Sequence, residues 1–384
     1  MTLAKPQRSN DHNRTDAILR RTFVAALAAL SLSPAFAAPL EVTDALGRKV
    51  TINAPVSRVI TTFNYEEFTA IAGVDGWKKV VAMSREPWAG WRPAIFERYT
   101  KVIPNLAAMP DIGHVEDNTL SAEKVIAARP DVVLMSDWGY SSLKTQMEQI
   151  TAAGIPIVVI DYNAQDLGKH LASTRAIGKV MGTDARAEEL ATLYETRYKD
   201  VIARVAKVSA AGPRKKVYVE LARDGAETVG NTYNNTMWGK IITTLGAENL
   251  ATGRIPGAWG PLNAEAILAE NPDMILLAGS SWVNKPKAVR TGYDATADGI
   301  RSALASYSGR PGWATLKAVQ SGNVNGIEHG LCRTLFDFVA MEYIAKRLYP
   351  DAFADVDPEK SFRDYHAKYL PVTYSGAWFL PLKP

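Results

Sequence analysis

The chain states one segment twice. Residues 120–135 read LSAEKVIAARPDVVLM, and residues 262–277 read LNAEAILAENPDMILL. At an offset of 142, Leu120/Leu262, Ala122/Ala264, Glu123/Glu265, Ala127/Ala269, Pro130/Pro272, Asp131/Asp273 and Leu134/Leu276 are identical. Most other columns exchange one apolar residue for another. Ordinary composition would give about one identity in such a window. The spacing far exceeds the ~20–50 residues of a solenoid unit. It predicts two similar lobes, with a ligand cleft expected between them.

Each copy reads as a helix feeding a strand. Ser121 and Asn263 are good N-caps, and Glu123 and Glu265 sit in the first turn, where the helix dipole favours an acid. Pro130 and Pro272 end the helices, because the residue before a proline avoids the α region. The apolar runs from Val132 and Met274 fit buried parallel strands. Residues 41–52 alternate around a Leu46-Gly47 turn and predict a β-hairpin. Short β-branched runs recur at 58–62, 79–83, 131–135 and 155–161, with helical segments at 122–128 and 143–153. The second half continues with strands at 216–221, 274–278 and 323–327 and a closing helix at 335–348. Alternation of this kind implies parallel sheets covered by helices on both faces.

Between the halves, Ala187, Leu190, Ala191, Tyr194, Tyr198, Val201, Ile202 and Val205 fall at helical spacing. The pattern begins at Thr183 or Asp184, runs to about Ser209 and is stopped by Ala211-Gly212-Pro213. The expected architecture is therefore α/β: two Rossmann-like lobes with mostly parallel sheets, joined by a single long α-helix. The expected divisions are an export segment at 1–37, an N-terminal lobe at 38–165, a connecting segment with the backbone helix at 166–212 and a C-terminal lobe at 213–350. A tail at 351–384 follows, whose apolar stretch at 374–382 is expected to pack on the body. A flexible linker would be Gly/Ser-rich. This one is not, which favours slight rocking of the lobes over wide hinge closure.

The export reading rests on Arg20-Arg21, the small apolar run at 23–32 and Ala35-Phe36-Ala37, with its A-x-A spacing. Cleavage is expected after Ala37. The apolar run is too short for a bilayer span, and the arginine pair fits either the twin-arginine or the general secretory route. Removing 1–37 takes away five Lys/Arg and two Asp/Glu, leaving 39 basic and 38 acidic residues. A balance so even, with no basic stripe, argues against nucleic acid as a partner. Cys332 is the single cysteine, so no disulfide within the chain is possible. It reads as a buried small apolar residue. These features predict a soluble, monomeric periplasmic protein of a Gram-negative bacterium.

Ligands of open α/β sheets bind beyond the carboxyl ends of the parallel strands. Here those loops are 63–65, 84–91, 137–140, 223–233, 257–259, 280–282 and 328–333. They are rich in Trp, Tyr and Arg, which offer aromatic faces and fixed donors for oxygen anions. The candidate ligand residues are Tyr65, Arg85, Trp88, Trp91, Trp138, Tyr140, Trp259, Trp282, His329 and Arg333. Each has a structural alternative: loop packing for Trp88 and Trp91, a fold wedge for Trp138 or Trp282, an Arg85–Glu86 surface pair, and a solvated loop position for His329. Glu66 and Glu67 are expected to face solvent at a helix start. No G-x-x-x-x-G-K-[ST], H-E-x-x-H, G-x-S-x-G or C-x-x-C motif occurs. His114, His170, His329 and His366 lack metal-ligand spacing. No enzyme activity, bare metal site or resident cofactor is expected.

The chain resembles the substrate-binding proteins of ABC importers for iron-siderophore complexes, haem and cobalamin. The resemblance covers about residues 42–350. It rests on VTDALGRKVTI followed by Pro55-Val56-Ser57-Arg58-Val59-Ile60, on NTLSAEKVIAARPDVVL, on Ala153-Gly154-Ile155-Pro156 and on 178–198 as the backbone helix. LGAENLA, NAEAILAENPDMILL and residues 313–327 carry it in the second half. The resemblance implies a periplasmic carrier that captures a metal chelate, with a ferric, Fe(III), siderophore first. Haem or a corrinoid is the runner-up, with His329 a candidate axial or edge contact. An enzyme or metallochaperone on a related scaffold is the remoter alternative. It also implies that Glu123 and Glu265 dock arginines of a dimeric inner-membrane permease.

Overall fold

The computed structural model describes residues 1–4, 39–209 and 212–383, and from Pro39 onward the chain forms one compact unit. The expected export segment and its cleavage site lie outside the described residues. The unit opens with a hairpin, β1 (Leu40–Thr43) and β2 (Lys49–Ile52), turned at Gly47 with φ 75°. The first lobe follows as β3 (Val59–Thr61), α1 (Tyr65–Gly76), β4 (Val80–Met83), α2 (Pro93–Thr100), α3 (Ala122–Ala127), β5 (Val132–Ser136), α4 (Asp137–Ser142), α5 (Lys144–Ala152) and β6 (Ile157–Ile160). Its sheet is parallel throughout, in the order β4-β3-β5-β6.

Two helices connect the lobes, α6 (Leu167–Met181) and α7 (Asp184–Ser209). The segment at 178–198 is thus not one helix: Gly182, at φ 72°, closes α6 in the left-handed region, which glycine enters without strain. Gly178 lets the two helices touch, since a Cβ there would collide with Ala187. The 26 residues of α7 bury Ala187, Leu190, Ala191, Tyr194, Val201 and Val205, the stripe read from the sequence.

The second lobe contains β7 (Lys216–Leu221), β8 (Asn231–Tyr233), α8 (Met237–Thr244), β9 (Glu248–Asn249), β10 (Trp259–Pro261), α9 (Ala264–Glu270), β11 (Met274–Gly279), α10 (Ala297–Ser308), α11 (Lys317–Gln320), β12 (Val324–Glu328) and α12 (Phe338–Leu348). The tail supplies α13 (Pro358–Tyr369) and β13 (Phe379–Pro381). The sheet order is β13-β12-β11-β7-β9, and only β13 runs antiparallel. β8 and β10 form a separate antiparallel ribbon, which the sequence reading took as loops. Among the described residues, no helix is long and apolar enough to cross a membrane.

Both repeats fold as read. Ser121 Oγ accepts the Lys124 N–H at 3.1 Å and Asn263 Oδ1 accepts the Glu265 N–H at 2.7 Å. β5 and β11 are buried at every position. Asp131 and Asp273 add a second symmetry, each accepting backbone N–H groups at the start of a neighbouring strand: Arg58 at 2.8 Å and Lys216 at 2.8 Å.

The lobes meet along the segment that leaves β12. Its backbone belongs to the second lobe, yet first-lobe side chains satisfy it. Asn64 Nδ2 donates to the Arg333 carbonyl at 3.4 Å, Gln165 Nε2 donates to the Cys332 carbonyl, and Glu67 Oε1 accepts the Leu335 N–H at 3.2 Å. His170 of α6 faces Asp337 at 3.3 Å, both fully buried. Glu66 and Glu67 therefore do not face solvent. They are 6% and 1% exposed, because α1 enters the interface by its N-terminus. Arg92 neutralises Glu66 through two contacts of 3.0 and 3.3 Å. The tail crosses the same junction: α13 packs on α12 and on α1, and His366 Nε2 meets the Tyr293 hydroxyl at 2.9 Å.

A buried ion pair organises the far side of the second lobe. Arg310 reaches both oxygens of Glu220, at 2.6 and 2.8 Å, and donates to the Ala226 and Thr228 carbonyls. Tyr307 and Trp313 cover its guanidinium at 4.4 and 4.7 Å from their ring centres. Arg310→Met would strand Glu220 in the core. We expect a loss of about 3–5 kcal/mol in urea unfolding; a loss within experimental error would contradict this assignment.

Burial and the neighbouring Glu66 push the Glu67 carboxyl up to about 8, and burial raises Glu342 to about 7. A raised carboxyl binds its proton more tightly when folded. Its contribution is complete at low pH and is lost as pH climbs through the folded value. Burial lowers His366 to about 4, so its contribution erodes in the opposite direction, as pH falls from about 6.5. Stability by chemical denaturation should therefore decline from about pH 6.5, where the histidines no longer oppose it, to about pH 8, and Glu67→Gln should remove about 1 kcal/mol or more of that decline. An identical pH profile in the variant would refute the role given to Glu67.

Candidate ligand site between the lobes

The carboxyl ends of both sheets converge on the junction, as parallel-sheet geometry requires. The first lobe contributes a wall of rings. Trp91 sets its face against the edge of His114 at 4.8 Å and 89°, His114 lies 5.7 Å from Trp138, and Trp138 meets Phe63 at 6.0 Å and 87°. The second lobe contributes another, built around His329, with Tyr233 at 5.8 Å, Trp282 at 6.0 Å and Trp238 at 6.5 Å between ring centres. Arg333 bridges the two, its guanidinium 5.3 Å from the Phe63 centroid.

The candidates divide sharply. Trp91, Trp138, Trp282, His329 and Arg333 come together. Trp259 stands 63% exposed on β10, directly opposite Tyr233 of β8. The structure corrects four others. Tyr65 is fully buried, its hydroxyl lying 2.9 Å from the Thr62 carbonyl and against the Ser84 carbonyl, either of which can accept its one proton. Trp88 is also fully buried. It stacks on Tyr65 at 4.8 Å and Trp77 at 5.7 Å: the turn at Glu86–Gly90 folds inward and adds an aromatic to the core. Tyr140 is a clamp for the opening hairpin, accepting from Arg48 Nη1 at 2.6 Å with the guanidinium 4.5 Å above its ring. Arg85 lies 5.5 Å from the Phe96 ring and reaches the Met109 carbonyl at 3.5 Å, instead of pairing with Glu86 or a cleft partner.

His114, Tyr233 and Trp238 are site residues that sequence reasoning did not single out. Tyr233 closes a loop that was identified, so its position was available. His114 follows a long irregular stretch, and Trp238 reads as an ordinary apolar helix residue.

The electrostatics are those of a dry, positive site. Burial, reinforced by Arg333, Arg92 and Arg223, holds the His329 imidazole well below its ordinary range. Burial also lowers His114. Burial and the nearby Arg92 lower Arg333, the signature of a cation short of counter-charge. Burial raises the Tyr233 phenol and the Cys332 thiol, leaving both protonated. Cys332 is fully buried, as its isolation suggested, with Sγ 3.1 Å from the His329 carbonyl. Neither ring nitrogen of His114, nor the Trp138 indole N–H, has a hydrogen-bond partner. Buried polar atoms are ordinarily satisfied, and the closest carboxylate contact is Asp117, 3.9 Å from His114 Nδ1. Among the described residues, no group of three or more His, Cys, Asp or Glu is arranged to hold a metal ion. Glu123 and Glu265 lie elsewhere, exposed on the first turns of α3 and α9.

Known proteins share this architecture. The chain superposes on a TroA-like periplasmic binding protein, FepB, from Veillonella parvula with a TM-score of 0.83 and 36% identity, over 90% of this chain and all of that one. The molybdate-binding protein MolA of Haemophilus influenzae is 23% identical over 366 residues, 90% of this chain and 94% of its own. An uncharacterized ABC transporter substrate-binding lipoprotein, YvrC of Bacillus subtilis, is 23% identical over 320 residues, 83% and 88% of the two chains. Residues 68–329, from α1 through the buried His329, match the family described as periplasmic binding protein; with the two parallel-sheet lobes and their long connecting helix, this chain belongs to that family.

Proposed function

We propose that the chain is the periplasmic carrier of an ABC importer, capturing an anionic metal chelate between its lobes and handing it to a dimeric permease. A ferric siderophore is the foremost ligand. Arg333 carries this reading. It is half-buried, its charged neighbours are the cation Arg92 and the already bonded Glu328, and its face rests on Phe63. A cation in such a place is costly until an anion arrives. Trp91, Trp138, Trp282 and the exposed Trp259 supply the aromatic area that a catechol or similar planar chelator would stack on. Nothing in this task breaks a covalent bond, so the protein acts as a binder and brings no cofactor of its own.

An oxyanion is the second reading, favoured by likeness to the molybdate-binding relative over 90% of this chain. It uses the same arginine but leaves the tryptophans without a role. The haem alternative would need His329 as an axial ligand, and that imidazole already receives the Trp238 N–H at 3.1 Å.

Glu123 and Glu265 are proposed as the docking acids. They are exposed and occupy equivalent turns of the repeat, which suits a two-fold partner bearing arginines.

Titration with a ferric catecholate should quench tryptophan fluorescence at one equivalent, with no turnover. Arg333→Ala should weaken binding about tenfold to a hundredfold, as expected for a lost charge-assisted contact, while its melting curve stays close to wild type. Undiminished affinity in that variant would remove the basis of the anion reading. Reversing both acids, Glu123→Arg with Glu265→Arg, should abolish uptake in cells at unchanged ligand affinity. An equal fall in affinity would make the acids part of the fold.

A further inference from the structure

Trp238 lies on α8, outside every ligand loop read from the sequence, yet it sets the hydrogen-bond polarity of the cleft. An indole N–H can only donate. Trp238 Nε1 is 3.1 Å from His329 Nδ1, so Nδ1 must be the accepting, unprotonated nitrogen. A neutral imidazole holds one proton, which then sits on Nε2. The surroundings keep the ring neutral. It is buried, and the charges facing it are Arg333, Arg92 and Arg223. The adjacent carboxylate, Glu328, is occupied by Thr291 at 2.8 Å, Ser280 at 3.1 Å and the backbone N–H groups of His329 and Gly330 at 3.0 and 3.4 Å.

His329 Nε2 lies 3.5 Å from the Tyr233 hydroxyl. With the N–H on Nε2 directed at that oxygen, the phenolic proton must point away from the imidazole. Tyr233, itself 5% exposed, sits on β8 opposite the exposed Trp259 of β10. A histidine that binds a metal has the reverse arrangement, donating one N–H to an acceptor and offering the other nitrogen's lone pair. Here the would-be donor nitrogen is the one that receives.

Building on the anion reading above, we propose that Trp238, His329 and Tyr233 form a one-way relay. It leaves the Tyr233 O–H as the donor offered to the ligand and withholds the imidazole lone pair from metal. The chelate is accordingly gripped through the oxygen atoms of its shell, and Trp238 is the positioning residue that enforces this choice.

Three measurements on the full chain test the relay. Long-range proton–nitrogen correlation should show His329 neutral, with Nε2 protonated, from about pH 5.5 to about 8, and Trp238→Phe should lose the preference. A protonated Nδ1 in the wild type overturns the proposal. Zinc ion added alone should leave the His329 signals unmoved, and a stoichiometric shift overturns it. His329→Gln keeps an N–H near the Nε2 position without an imidazole lone pair. Its affinity for ferric catecholate should fall less than about threefold, against about tenfold or more for His329→Leu, with thermal melts checking that both fold. Equal losses in the two variants overturn it. If the wild type binds no ferric catecholate, the ligand reading above fails, while the tautomer and zinc measurements still decide the relay without Trp238→Phe.

Discussion

The fold depends on how the ten residues from the last of β12 onward are held. Glu328–Asp337 would otherwise carry unsatisfied carbonyl and N–H groups into a water-poor junction, where each costs about 1–3 kcal/mol. Asn64, Glu67 and Gln165 from the first lobe satisfy three of them, and Glu328 itself satisfies two more. His170 and Asp337 close the far end. The same ten residues bear His329 and Arg333. Ligand site and lobe interface are therefore one structure, and a change in the angle between lobes must displace the very side chains that face the cleft.

Much of the architecture was legible in the sequence because it rests on periodicity and on local chemistry. The repeat, its caps, its prolines and the parallel strands all folded as their residue types dictate, as did the apolar stripe of α7. Side-chain direction in irregular loops was not legible. Trp88 and Trp91 are three residues apart in one Pro/Gly turn, yet one completes an aromatic core and the other faces His114. No period distinguishes them; only the position of Tyr65 and Trp77 does. Glu66 and Glu67 misled for a related reason. Acids at a helix start ordinarily face water, and their burial became readable only with Arg92 beside them. Trp238 gave no signal at all, since an indole N–H is visible in sequence but its acceptor, 91 residues away, is not.

Two symmetric acids and one asymmetric cation summarise the division of labour. Glu123 and Glu265 repeat in equivalent, exposed first turns of α3 and α9. Arg333, His329 and Tyr233 come from parts that do not repeat, as a single ligand lying across a pseudo-symmetric cleft requires. Neutral imidazoles and protonated phenols surround Arg333, and Arg92 and Arg223 also face His329.

The antiparallel strand β13 has a consequence for how the molecule is made. β12 is a central strand only because Phe379–Pro381 arrives beside it. Until those last residues emerge, β12 is an edge, buried in sequence character but open along one side, and such edges recruit other chains. A chain under synthesis stays exposed to that hazard until nearly all of these residues have emerged. Truncation before Phe379 would leave the ligand loops intact in sequence yet convert a carrier into a template for aggregation.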